Sequence, residues 1–514
     1  MAIVPSLSAQ QQQAIHGRLL LVLPFENHSG QADLNWVSEA FPEIFNRRLA
    51  SAGFLPISRT DRIYALDRLG LPQSFQPSRA STIRLAQTLD ADYVVFGFFT
   101  AAGNSLNATA QVLDVTGLKL GNPMTMQADM THLLDTLNNL AWQTTKQLDP
   151  TYPVAQQTFL TADSDLRLDA FENYIRGLTQ DSIGERIRHL REAVRLNPHF
   201  TPATLALGKA YFSNQNFDLA ASTLGNMPKD DPNALEADFY RGLAFFYTGK
   251  YLEAEDAFAF DSTRLPLPEV VNNQGVAAAR RGKDGTAFFQ QAVTADPKDA
   301  DYHFNLAVSL SHHGDVAGAV REIDQAVKLR PQDADATNFA NKLHSGPQNP
   351  SAAQQSNGPI ERIKRSYNEA SFRQAAFEME QVQNMRLSAL PPNEHAEALT
   401  KEGTQFLNRG LILEAERQFQ AAIQANPNSA AAHAGLAQVR EHSNDVEAAR
   451  QEAQKSLQLQ PNVEAHLILA RMDVQANQLS SAANEISQAL KIEPNSANAR
   501  VMKMALEQKG QRVP

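Results

Sequence analysis

Pro198, Pro232 and Pro266 stand 34 residues apart, and Pro297 and Pro331 are again 34 residues apart. A fixed interval of this length means a chain of stacked units, none of which can bury its own apolar face alone. Within each interval the apolar residues follow the helical period. Gly208, Tyr211 and Ala220 precede Pro232, and Gly242, Phe245, Ala254 and Phe258 precede Pro266. Ala307, Leu310, Ala319, Ile323 and Ala326 lead to Pro331; Gly403, Phe406, Ala415, Phe419 and Ala422 lead to Pro427. Each small residue lets two helices approach, each aromatic fills the space beside it, and each proline stops the second helix because it has no N–H to donate.

This pattern resembles the tetratricopeptide repeat, a helix-turn-helix unit. Repeats are expected to start near residues 167, 201, 235, 267, 300, 396, 430 and 463, with a degenerate ninth in IERIKRSYNEASFRQAAFEMEQVQ (Ile360 to Gln383). The run HSGPQNPSAAQQSNGP (His344 to Pro359) has linker composition. It divides the array into a block at 166–343, a linker at 344–359, and a second block at 360–510 of one degenerate plus three repeats, able to shift relative to each other.

Residues 18–150 read differently. RLLLVLPF is a buried strand, Trp36 to Gly53 a helix with a glycine stop, and Ala91 to Thr100 a strong strand with SLNATAQVLDV as its hairpin partner. The ordered set of LPFENHSG, PISRTDRIYALDRL and LAQTLDADYVVFGFFTAAGNSLNATAQVLDVTGLKLG is similar to the TolB amino-terminal-domain-like family. That resemblance implies a non-catalytic α/β docking module of bacterial envelope and signalling proteins. The expected fold is thus an α/β N-terminal domain, a small mixed sheet with helices, followed by an all-α solenoid in two blocks.

The net charge of −10 argues against a broad nucleic-acid surface. No run approaches the ~20 apolar residues of a membrane-spanning helix. Cysteine is absent, which excludes a disulfide scaffold, a cysteine zinc site and a thiol nucleophile, and favours an oxidising compartment. Residues 1–17 are expected to be a flexible start, and SLSAQ within them reads as a possible signal-peptide remnant. Together these readings place the protein in a bacterial periplasm or envelope, with the cytoplasm as the alternative.

No motif carries chemistry. The opening loop LPFENHSG has one glycine and no lysine, so it lacks both phosphate-binding patterns. Pro24 should end the strand, with Asn27, Ser29 and Gly30 forming a turn; the loop as a partner-contact edge is the other reading. His312 and His313 are adjacent and diverge on a helix, and His433 and His466 hold equivalent repeat positions that suit core packing. No cofactor, metal ligand set or catalytic residue is expected.

The functional surface is then the concave groove lined by the first helix of each repeat. Candidate contact residues are Lys209, Phe212, Phe239, Leu243, Phe246, Tyr247, Asn272, Asn273, Asn305 and His312, with Leu205 beside them. An aromatic floor edged by amides suits an extended peptide: rings supply area and amides pair with a backbone. Capture of a C-terminal carboxylate, known in some tetratricopeptide proteins, is disfavoured, because Phe304 and Val308 stand where cations would help. The second block offers Thr400, Thr404, Gln438 and Arg471. The expected function is a non-enzymatic scaffold for a protein or peptide partner; the alternatives are a small-ligand-sensing module or a structural part of an envelope assembly.

Overall fold

The computed structural model describes residues 18–72, 78–162, 165–345 and 359–514. The expected signal remnant and most of the linker lie outside the described residues. The chain forms two compact units: residues 1–168 with 377–514, and residues 169–376. This grouping differs from the linear order of domains, because the N-terminal domain packs with the second repeat block in one unit.

The N-terminal domain is built on a mixed sheet. Strand β1 (Arg18–Val22) lies parallel to both β3 (Phe54–Pro56) and β4 (Tyr93–Ala102), and the short β2 (Glu26–Asn27) extends the parallel pairing along β4. Strand β5 (Ser105–Asp114) returns antiparallel along all of β4, then pairs with β6 (Lys119–Leu120) and β7 (Met124–Asp129). Alternation divides the side chains of β1 between two faces. Leu21 and Leu23 join a core with Ala65 and Leu66 of α2 (Arg59–Arg68) and Leu85 and Ala86 of α3 (Arg79–Thr88). Across the sheet, Phe25 stacks on Phe41 of α1 (Asn35–Ser51) with ring centroids 3.8 Å apart. That contact explains Gly97 of β4: a Cβ there would stand 2.4 Å from the Phe25 ring. Helix α4 (Leu133–Leu148) buries Leu133, Leu137 and Leu140, and a short α5 (Gln156–Thr161) follows.

The opening loop is a turn. Asn27 Oδ1 accepts from the Ser29 N–H at 3.0 Å and the Ser29 hydroxyl at 2.5 Å, while its Nδ2 donates to Gln31 O and Asn35 Oδ1, each at 2.8 Å. The polar groups of the loop are spent on its own shape, as Asx turns do.

The remainder is paired helices. Their first members start at Leu168, Thr201, Ala234, Pro268 and Ala300 in the first block, and at Pro392, Ala430 and Val463 in the second. Helices Ala334–His344 and Ala497–Gln508 close the two blocks. The small-over-aromatic contact recurs: a Cβ on Gly242 would lie 2.8 Å from Phe258, and one on Gly275 or Gly403 would lie 2.9 Å from Phe289 or Phe419. The turn inside seven of the eight pairs passes through positive φ. Gly249, Gly282, Gly314 and Gly410 supply it, and Gln215, Asn444 and Asn477 adopt it at the strain of a side chain; the pair that starts at Leu168 turns without it.

The stretch expected as a ninth repeat forms no helix pair. Only Glu369–Ser388 is helical, it buries no residue, and residues 359–368 precede it without helix. The two positive charges of Arg362 and Lys364 bond elsewhere, as described next.

Of the equivalent histidines, His433 is buried and His466 partly so, but neither is inert. His433 bonds Glu452 at 2.6 Å and Pro427 O at 3.1 Å, and His466 bonds Glu485 at 2.6 Å. His303 repeats the arrangement with Glu322 and Pro297 O. Each pair joins the two helices of one repeat across 19 positions. The Glu452 bond, against the opposing cost of burial, raises the pKa of His433.

Candidate peptide-binding grooves

Three asparagines of the first block sit on the inner helices with no side-chain exposure: Asn272 and Asn273 on Pro268–Arg280, and Asn305 on Ala300–His312, 33 residues after Asn272. A buried amide must find partners. These find the backbone of the chain's own residues 362–364. The Arg362 N–H donates to Asn305 Oδ1 at 2.6 Å, and Arg362 O accepts from Asn305 Nδ2 at 2.8 Å and Asn272 Nδ2 at 3.1 Å. Two residues on, the Lys364 N–H donates to Asn273 Oδ1 at 2.7 Å and Lys364 O accepts from Asn273 Nδ2 at 2.8 Å. One asparagine therefore holds both polar groups of one residue, and the next asparagine holds the next residue but one. That spacing matches an extended segment, whose backbone groups point to the same side every second residue. Asn305 Nδ2 also donates to Asn272 Oδ1 at 2.7 Å, which fixes the amide orientation.

The side chains of the segment are matched as well. Lys364 Nζ lies 2.7 Å from Asp299 and 2.8 Å from Asp301. The Arg362 guanidinium pairs with Asp333 and with Asp301 at 3.0 Å, and its carbon lies 3.7 Å from the centroid of the Phe304 ring. Arg365 Nε donates to the Tyr247 hydroxyl at 2.6 Å. Ile363 packs against the cluster of Val276, Phe289, Tyr302 and Leu306, as does Phe246. Tyr367 meets Phe239 edge to face at 5.1 Å. Arg280 holds Glu361 at 2.6 Å. Burial pushes the Asp301 carboxyl up, but bonds from Arg330, Lys364 and Arg362 outweigh that and hold it below the usual carboxylate range.

Of the residues expected to line this groove, Asn272, Asn273, Asn305, Tyr247 and Phe239 touch the segment. Leu243 is wholly buried in the core with Ala254 and Phe258, the cluster on which Ile363 and Tyr367 pack. Phe212 packs among Phe217, Tyr240 and Tyr247. Lys209 is held by Glu236 at 2.5 Å, over the Tyr240 ring. His312 is the exposed last residue of its helix and contributes none of these bonds. Phe304, expected to count against capture of a C-terminal carboxylate, provides a cation-binding ring face. Sequence reasoning missed Asp299, Asp301 and Asp333. Asp299 and Asp333 are helix N-caps, whose ordinary local role hides them in a sequence.

The second block has its own concave groove, of about 900 Å³, lined by Thr400, Thr404, Asn408, Gln438, Asn462 and Arg471. Burial lowers the Arg471 pKa, but Glu441, at 2.7 Å, and Glu464 outweigh it and leave it raised. This groove sets amides and hydroxyls among small residues such as Ala430 and Ala434, where the first has rings.

Within the same unit, the N-terminal domain bonds the outer side of this block. Glu416, fully buried, accepts from the Ala155 N–H at 2.8 Å and pairs with Arg440 at 2.7 Å. Arg440 also reaches the Thr158 hydroxyl at 3.3 Å, and Arg417 donates to Ser51 O at 3.0 Å. Among the described residues no helix is long and apolar enough to cross a membrane.

A tetratricopeptide-repeat family model matches residues 205–259, 277–334 and 400–464. Human tetratricopeptide repeat protein 36 is 35% identical over 79 residues, 15% of this chain and 42% of that protein, so the chain spans less than half the length of this curated relative. Similar solved structures include a MamA fragment from Desulfovibrio magneticus RS-1 (21% identical, 33% of this chain and 99% of that one, TM-score 0.31). YrrB, described as a TPR protein with an unusual peptide-binding site, is 14% identical over 39% of this chain and 98% of its own, with a TM-score of 0.28. The LpoB C-terminal domain from Salmonella enterica is 20% identical over 22% of this chain and 84% of its own, with a TM-score of 0.20. The chain therefore carries tetratricopeptide repeats in both of its helical blocks.

Proposed function

We propose that this protein is a non-catalytic scaffold of the bacterial envelope whose repeat grooves hold extended segments of partner proteins. The observation that carries the reading is the asparagine ladder: Asn272, Asn273 and Asn305 grip a backbone rather than any particular side chain. Such main-chain recognition gives affinity, and the flanking pockets give selectivity. The similarity of residues 18–148 to TolB amino-terminal domains supports a docking role for that domain and an envelope setting. One of its faces is already committed to the second block, so a partner would meet the remaining surface.

The test is chemical crosslinking from envelope and cytosolic extracts with three baits: the intact chain, Asn273→Ala with Asn305→Ala, and Gln438→Ala with Arg471→Ala. A partner whose crosslinks map to a groove and vanish from the matching variant is the expected result. Partners retained by both variants, or crosslinked only to residues 18–150, would overturn the groove mechanism.

A further inference from the structure

The first groove is occupied by the chain itself, and its occupant reports what it accepts. We propose that this groove recognises an extended peptide with cations at alternate positions around an aliphatic residue, and that such a partner binds by exchanging with residues 361–367. This rests on the groove reading above and adds the ligand class and the competitor.

Selectivity for a basic segment follows from the acids. Asp299, Asp301 and Asp333 converge on Arg362 and Lys364, and Phe304 and Tyr302 offer ring faces to the same two cations, at 3.7 and 5.0 Å. An acidic or neutral peptide would leave the three carboxylates with Arg330, 2.8 Å from Asp301 and 3.6 Å from Asp333, as counter-charge in place of three cations. Between the cations, the position of Ile363 takes an aliphatic side chain against Val276 and Phe289. Two positions beyond Arg365, Tyr367 fills a slot beside Phe239.

Exchange follows from how the segment is held. Its backbone bonds are ones that any extended peptide makes equally. Its charged side chains are partly open, at 22% for Arg362 and 17% for Lys364. Ile360 before it is 63% exposed, and the helix Glu369–Ser388 after it has no fully buried residue: Phe372 and Ala375 pack only partly buried against the Phe239 cluster, so the packing beyond the segment that release must break is confined to the first turns of that helix. A tethered segment competes at an effective concentration on the order of mM, which masks the groove from weak ligands and leaves it open to strong ones.

The probe is a fluorescent synthetic peptide of residues 359–368, titrated by anisotropy into the full chain. Three chains are compared: intact, Arg362→Ala with Lys364→Ala to vacate the groove, and Asn273→Ala with Asn305→Ala to remove the ladder. Lys364→Met, which keeps the stem of the side chain, serves as a milder vacated form, and thermal melting confirms that each chain is folded. The expected result is binding to the vacated chain at least tenfold tighter than to the intact chain, and none to the ladder variant. The same peptide with Arg362→Glu and Lys364→Glu should not bind. Absence of binding to both folded vacated chains would make residues 361–367 a fixed structural tie and overturn the proposal. Equal binding of the acidic peptide would overturn the cation rule while leaving the groove a peptide site.

Discussion

The hold of the ladder on residues 361–367 can be measured without any partner. Arg362, Lys364 and Arg365 are three trypsin sites inside the bound segment, so cleavage there reports local opening. Asn305→Ala deletes the acceptor of the Arg362 N–H and one of the two donors to Arg362 O. At ~1 kcal/mol net for each bond, the closed state loses about 2 kcal/mol, and more if the amide is left unmet in the closed form. Since 1.4 kcal/mol is a factor of ten, the open population should rise about 30-fold. When opening and closing are fast relative to cleavage, the tryptic rate follows that population. The assay is cleavage after Arg362, Lys364 and Arg365, followed by mass spectrometry under conditions where the rest of the chain stays intact. A change below threefold, with the variant melting like the parent, would show that the asparagines do not hold the segment and would refute the ladder argument.

Other expectations are as direct. Gly435→Ala places a Cβ 2.3 Å from the Phe419 ring, wedged from the other side by Gly403; overpacking of ~1–3 kcal/mol against a helix gain of at most about 1 should lower stability by roughly 1–2 kcal/mol in urea titration. Burial, then Asp238, pushes the Asp261 carboxyl up to about 9. The folded chain therefore keeps a proton there that the unfolded chain releases near pH 4, and stability falls as pH rises from about 4 to 9. Asp261→Asn should remove that slope, stabilising residues 169–376 by up to ~4 kcal/mol at pH 7 and by little at pH 4, as chemical denaturation at the two pH values will show. The raised pKa of His433 acts in the same direction for its pair: the stabilisation is complete below about pH 6.5 and fades as pH rises through the raised value. Glu452→Gln should thus cost about 1–2 kcal/mol at pH 5.5 and much less at pH 9.

The repeats were legible because their packing is local. Small and aromatic residues at fixed spacing fix each helix pair, so Gly242 over Phe258 and Gly403 over Phe419 could be read from position alone. The asparagines of the groove were legible for the same reason, since residues free of packing duty stand out against a regular background. What bound them was not. IERIKRSY carries apolar residues at spacings that suit a helix, and its backbone bonds to the three asparagines, together with cations meeting acids some 60 positions earlier, hold it in an extended form. Leu243, expected to line the groove, is wholly buried in the core beneath it. Glu416, at a repeat position where Glu255 and Arg450 stand in other repeats, gave no sign that its partners were the Ala155 amide and Arg440.

The bonds from Ala155 to Glu416 and from Thr158 to Arg440 span 261 and 282 residues. They make residues 169–376 an insertion within a unit whose two parts come from far ends of the sequence. During synthesis the inserted repeats can complete their local contacts while residues 18–168 still wait for the strands of sequence that will cover them. Closure across so long an interval is slow, and it leaves the outer face of the N-terminal domain uncovered until residues 412–442 emerge. Assembly of this protein thus has an order written into its connectivity: the interior of the sequence first, its flanks last.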